Sequence, residues 1–268
     1  MSKLSDHVPV SVIIPCYRCR ETVERALESV MAQSLQPEEI LLVDDASNDG
    51  TLELLRDLER RYSPWVRVIS LSKNGGPGLA RNAGWDAATQ PWLAFLDADD
   101  IWHPRKMEVQ WAWLTAHPEV VLCGHRTQLA ADGSIDYSVQ KSPTVTRLTL
   151  AKMLISNQLP TRSVMLRRDL PFRFRGRDVT EDYLLWLKII AAGWPASRLE
   201  VCLAYSLRPD FSPGGYSGSL LAHEKRELAA LRVLRTERDF SWLVWVLSSF
   251  WSIAKYLRRC WLMRGVRR

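Results

Sequence analysis

Four times within the first 116 residues, a short apolar run of strand length gives way to a segment whose apolar side chains recur at helical spacing. Residues 8–14 precede 21–33, 39–43 precede 49–62, 66–71 precede 77–88, and 92–96 precede 104–116. In the first helical segment the pattern runs through Val23, Ala26, Leu27, Val30 and Met31, and in the second through Leu52, Leu54, Leu55 and Leu58. Strand–helix alternation with short connections leaves few folds open. It predicts an α/β domain around a mostly parallel sheet, because each helix carries the chain back across the sheet. Ligands of such sheets bind beyond the carboxyl ends of the strands. Three of the four apolar runs end there in polar chemistry: Pro15-Cys16-Tyr17, Asp44-Asp45 and Asp97-Ala98-Asp99-Asp100.

The last of these is the densest, with three carboxylates in four residues directly after an apolar run. Buried without partners, such charges are strongly destabilising. The cluster therefore belongs at an exposed strand end, where a cation or polar ligand offsets the repulsion. Side chains at i and i+2 of an extended segment share a face, so Asp97 and Asp99 can converge on one ligand. That suits a hard divalent cation that keeps much of its shell for phosphate and water.

After residue 120 the regularity weakens. Residues 120–128 and 134–139 read as a hairpin about Asp132-Gly133, 148–155 as a short helix and 163–166 as a strand. Thr180-Glu181-Asp182 precedes a strongly helical stretch at 183–192, where acidic residues in the first turn suit the helix dipole. Residues 198–207 read as a strand, 209–219 as a loop rich in Pro, Gly and Ser, and 220–238 as a charged helix.

The tail changes character. Residues 240–254 carry no charge, and residues 255–268 carry six basic side chains and no acidic one. Those six equal the chain's whole formal excess of +6, so the main domain is close to neutral and no nucleic-acid-binding face is expected. The uncharged run is shorter than the ~20 residues a bilayer span requires. Its tryptophans (Trp242, Trp245 and Trp251) beside a basic block suit a membrane interface instead. The competing reading is a helix packed on the domain or on a second subunit. The five scattered cysteines and an N-terminus without a signal-like apolar run point to the cytoplasm, with the tail on the inner face of a membrane. Cys16-x-x-Cys19 has no second ligand pair and reads as two incidental thiols.

Four blocks in order, Val10-Ser-Val-Ile-Ile-Pro-Cys-Tyr17, Leu42-Val-Asp-Asp-Ala-Ser-Asn-Asp-Gly-Thr51, Asn74-Gly-Gly-Pro-Gly-Leu-Ala-Arg-Asn82 and Phe95-Leu-Asp-Ala-Asp-Asp-Ile-Trp102, resemble glycosyltransferase family 2. Thr180-Glu181-Asp182 extends the resemblance. It implies a GT-A type Rossmann-like fold and inverting transfer from a nucleoside diphosphate sugar, usually UDP-linked, to a hydroxyl acceptor. A lipid-linked oligosaccharide in surface polysaccharide synthesis is one such acceptor. It also implies Mg2+ or Mn2+ on the diphosphate. By the same resemblance, Pro15 and Tyr17 lie against the base and Asp45 reads it. Arg81 lies near the nucleotide, Asp97 near ribose and metal, Asp99 binds the metal, and Asp182 is the acceptor-activating base. Glu181 lies beside that base. Arg18 stands where the family usually has Asn. Asp100, as a third ligand or a capping residue, and His223, as a diphosphate contact, complete the candidates.

This reading divides the chain into residues 1–219, with a nucleotide half to 120 and an acceptor half from 121, and a helical region at 220–268. Two rival functions are weaker. A sugar nucleotidyltransferase calls for a glycine- and lysine-rich triphosphate loop, absent from residues 15–22. A non-catalytic sugar-nucleotide binder of the same fold has no need of Asp97, Asp99 and Asp182 together.

Overall fold

The computed structural model describes residues 7–130, 135, 138, 143–208, 219–237 and 240–265. The fold is mixed α/β about a central, mostly parallel sheet. Strands β1 (His7–Cys16), β2 (Gln36–Asp44), β3 (Val66–Ser70) and β4 (Trp92–Phe95) alternate with helices α1 (Val23–Met31), α2 (Thr51–Arg61) and α3 (Pro77–Ala87). Their order in space is β3-β2-β1-β4, all parallel. This puts the carboxyl ends of β1, β2 and β4, and the polar residues that follow them, on one edge.

Strand β1 is central and covered on both faces, so it reads as a nearly unbroken apolar run. The pleat still sorts its residues. Ile13, Leu41, Val43, Leu93 and Phe95 share one core, and Val12, Ile14, Leu42, Ala94 and Leu96 share the other. Helix α3 comes close to β1 because Gly84 has no side chain; a Cβ there would lie 2.6 Å from Ile13 Cγ2.

Beyond β4 the sheet becomes mixed. β8 (Met165–Arg167) pairs antiparallel with β4 and with β6 (Leu122–Leu129), and β6 runs parallel to β9 (Ala196–Ser206). The other edge of β9 takes β5 (Asp100–Trp102) and β7 (Val145–Leu148), both antiparallel. Helix α4 (Lys106–Ala116) follows β5, and α5 (Leu150–Ile155) is capped by Thr149, whose side chain accepts from Lys152 N. Helix α6 (Glu181–Ala191) is covered by α7 (Leu220–Glu237), which sends Ala230, Leu231 and Leu234 into the main core.

The sequence expectations need three amendments, and a fourth expectation falls almost wholly outside the described residues. Residues 122–129 form a strand, but it pairs with β8 and β9; of the second arm expected at 134–139 only residues 135 and 138 are described. The strand expected at 163–166 is displaced by a 3-10 turn, Thr161–Ser163. β5 and β7 were not anticipated, being short segments that mix polar with apolar residues. The loop expected at 209–219 lies, up to 218, outside the described residues.

The tail forms α8 (Trp242–Gly265), packed on α7 and α5. Two of its cations are matched rather than loose: Lys255 donates to Glu227 Oε1 at 2.9 Å, and Arg259 lies 3.5 Å from Glu224 Oε2. Its outer face leaves Leu247, Phe250 and Trp261 largely exposed. Among the described residues no helix is long and apolar enough to cross a membrane.

Candidate active site at the strand ends

A cavity of about 1840 Å³ opens over the carboxyl edge of β1, β2 and β4. The ten side chains singled out in the sequence all line it: Pro15, Tyr17, Asp45, Arg81, Asp97, Asp99, Asp100, Glu181, Asp182 and His223. They come from strand ends, from α3, from the first turn of α6 and from α7.

The first wall follows β1 and β2. Tyr17 presents an exposed ring, and the Arg18 guanidinium lies over it at 5.3 Å. Arg18 has φ near 50° and is tied to Asn48 Oδ1 by Nη2 at 2.9 Å. Asp44 is a turn residue whose carboxylate accepts from Ser47 N. Asp45 is buried, and its two oxygens accept from Gly75 N and Gly76 N, each at 2.7 Å. It therefore shapes the glycine-rich entry to α3. A carboxylate carries about four acceptor sites, so this use leaves capacity for a ligand donor.

Arg81 ties the two halves of the site together. Its Nη2 meets Asp97 Oδ1 at 2.5 Å and its Nη1 meets Glu181 Oε1 at 3.4 Å, across 100 residues of sequence. The guanidinium lies 5.4 Å from the centre of the Phe174 ring. Burial alone would lower Arg81, but Asp97 and Glu181 outweigh it and hold it above its ordinary value. Burial, and then the neighbouring Asp182, push Glu181 up to about 7 despite Arg81.

The acidic run is split by the backbone. All three line the cavity, but Asp97 and Asp99 keep part of their surface open to it, whereas Asp100 begins β5, is buried, and accepts from Arg162 Nη1 at 2.7 Å. Burial pushes Asp100 up to about 7, with Arg162 opposing. Asp100 is thus an ion-pair partner for Arg162. Asp99 remains 41% exposed, and its nearest cation is Arg208 at 3.8 Å. Burial and then Asp97 raise it above the usual carboxylate range. Among the described residues no group of three or more His, Cys, Asp or Glu side chains forms a metal cage. What is present is a pair of acids, one partly free, lining an open cleft. That donor set fits an octahedral cation that takes its other ligands from phosphate and water.

Asp182 stands in the first turn of α6. Its Oδ2 accepts from Thr161 Oγ1 at 2.8 Å, and its Oδ1 accepts from Tyr183 N at 2.7 Å. These bonds fix the carboxylate's orientation at the cavity wall. His223 lies within the field of both Asp182 and Glu227, and burial pushes its imidazole below the ordinary value. Sequence reasoning missed Thr161, Arg162 and Arg208. Each is joined to its acid only by tertiary contact, at separations no local pattern reports.

Residues 11–171 match the family model described as glycosyl transferase family 2. The chain is 30% identical over 198 residues to the putative teichuronic acid biosynthesis glycosyltransferase TuaG of Bacillus subtilis, covering 73% of this chain and 77% of that one. It is 27% identical over 225 residues to WfaP of Escherichia coli, covering 82% of each. WfaP is named a UDP-Glc:alpha-D-GlcNAc-diphosphoundecaprenol beta-1,3-glucosyltransferase. Among solved structures, the mannosyltransferase PcManGT of Pyrobaculum calidifontis, in complex with GDP-Man and Mn2+, superposes with a TM-score of 0.68. That match covers 94% of this chain and 74% of that one at 18% identity, which speaks to the fold alone.

Proposed function

Because the chain belongs to glycosyltransferase family 2, and so is a glycosyltransferase, we propose that it moves a sugar from a UDP-sugar to a hydroxyl of a lipid-linked acceptor, with inversion and with a divalent metal. The observation that carries this reading is one cavity lined by two sets of acids: Asp97 and Asp99 at the end of β4, and Asp182 at the start of α6.

Inversion requires a single in-line displacement, so one carboxylate must take the proton of the incoming hydroxyl. Asp182 suits that role. It is held by Thr161 and by its own helix start, and among the described residues it makes no direct ion pair, although Arg81 lies within its field. Asp97 is engaged by Arg81 and cannot serve as base while so paired. Tyr17 and Asp45 line the same cavity as Asp97 and offer a ring and an acceptor for a nucleobase. Asp99, with Asp97 beside it, would hold Mg2+ or Mn2+. When bound, such a cation stabilises the negative charge that develops on the departing diphosphate. The choice of UDP and of a lipid-linked acceptor draws on WfaP's printed activity, and the metal on the Mn2+ complex of PcManGT. The exposed apolar face of α8 supports peripheral attachment to the inner face of a membrane.

D182N tests the base. Transfer is expected to fall by about 10²- to 10⁴-fold with UDP affinity unchanged. Transfer by D182N at a tenth or more of the wild-type rate would overturn the assignment. In the same assay a chelator should stop wild-type transfer, and Mg2+ or Mn2+ should restore it. Release of pyrophosphate from a nucleoside triphosphate would instead mark a nucleotidyltransferase.

A further inference from the structure

The cavity does not end at the catalytic carboxylates. It continues along His223 and Arg226 of α7 to Lys255, Arg258 and Arg259 of α8. His223 feels the charges of both Asp182 and Arg259, so this cationic end adjoins the proposed base. Helix α8 therefore has two kinds of company. On its outer side Leu243, Leu247, Phe250, Leu257 and Trp261 recur at helical spacing, each more than half exposed. On its inner side Lys255 and Arg259 turn into the enzyme, and Arg258, itself exposed, lines the cavity.

Among the described residues, the charges that α8 and α7 present to each other there do not close. Lys255, Arg258 and Arg259 of α8 face two carboxylates of α7, Glu224 and Glu227. Lys255 and Arg259 are held by those two acids. Arg258 lines the cavity and makes no ion pair with an acid among the described residues. A neutral glycan would leave this excess unmatched. A phosphate or diphosphate would match it through charge-assisted hydrogen bonds, for which the planar guanidinium is well formed.

We infer that this end of the cavity is a subsite for a phosphate-bearing group of the acceptor, whose lipid chain leaves along the apolar face of α8. The inference rests on the lipid-linked acceptor proposed above and deepens it: it assigns the acceptor's phosphate to Arg258, with Lys255, Arg259 and Arg226 around it. The bilayer's own headgroups are a poorer match, because Lys255 and Arg259 are tucked against α7 rather than spread over the outer face.

The test is calorimetric binding of decyl diphosphate to the full chain, with saturating UDP occupying the donor cleft. Wild type should bind, R258E should bind at least tenfold more weakly, and R258K should fall between them. Inorganic diphosphate should bind more weakly than decyl diphosphate; equal affinity would overturn the lipid part of the assignment. Equal binding by wild type and R258E, or none by wild type, would overturn the subsite. So would an R258E variant that loses anionic vesicles but keeps decyl diphosphate, since the cation would then serve the bilayer surface. Binding of decyl diphosphate without transfer to any phosphate-linked sugar would overturn the acceptor reading and leave the subsite standing. Transfer without such binding would do the reverse.

Discussion

At the scale of single residues the site is organised by ion pairs that carry different chemical loads. Arg81 is buried between Asp97 and Glu181 and is the cation both depend on. Glu181 nevertheless titrates at about 7, well above its ordinary 4.5, because burial and Asp182 outweigh Arg81. The sign of the consequence follows by linkage. Between those two values the unfolded chain has released this proton and the folded chain still holds it. The stability contributed by the group is full below about 4.5 and is lost as pH rises through about 7. E181Q cannot ionise, so its stability relative to wild type should increase from about pH 5 to about pH 8. Thermal melts of both proteins at the two pH values check this, and a constant difference would refute it. Many of these residues were legible as motif positions. Their partners were not: Thr161 reaches Asp182 and Arg162 reaches Asp100 through side chains, and nothing in either local sequence marks them for that use.

At the scale of elements, the site depends on how closely α3 approaches the segment leading into α6. Gly78, in the first turn of α3, is where they meet. A Cβ at this position would lie 2.5 Å from the Arg175 carbonyl oxygen and 2.9 Å from Glu181 Cγ. A backbone oxygen cannot swing aside as a flexible side chain can, so the helix itself would have to move. G78A should cost about 1–3 kcal/mol, seen as a lower urea midpoint with an unchanged slope. Transfer should fall as well, because Glu181 and Asp182 shift together. The longer helices were legible from periodicity, and the first four strands as apolar runs set between them. β5 and β7 were not, because Asp100–Trp102 and Val145–Leu148 are not apolar runs and their pairing to β9 is wholly non-local.

At the scale of the molecule, the tail presents an apolar face to its surroundings. Helix α8 packs on α7 and α5 while leaving Leu247 and Phe250 59% and 69% exposed. Such a face is stabilised by burial in the acyl–headgroup boundary. Wild-type protein should sediment with vesicles containing anionic phospholipid, and the L247E/F250E double variant should do so at least tenfold less at an unchanged melting temperature. Equal sedimentation would show that the face serves another purpose.

The sequence by itself determined the strand–helix rhythm, the strand ends that carry acids, and the order of the four motif blocks. Each of these is local: a period, a burial preference, or a run of like charges can be read from adjacent residues. Only the tertiary structure decided which acids stay available and which are consumed. Asp99 and Asp100 are neighbours in the chain and line one cavity, yet one stays partly exposed and the other is buried and locked to Arg162, because the backbone enters β5 between them. The basic tail shows the same division. Read in sequence, its six cations belonged to a membrane surface. In the fold, Lys255 and Arg259 are paired with α7, and Arg258 opens into the cavity, because one helix face must cover the domain while the other meets what lies outside.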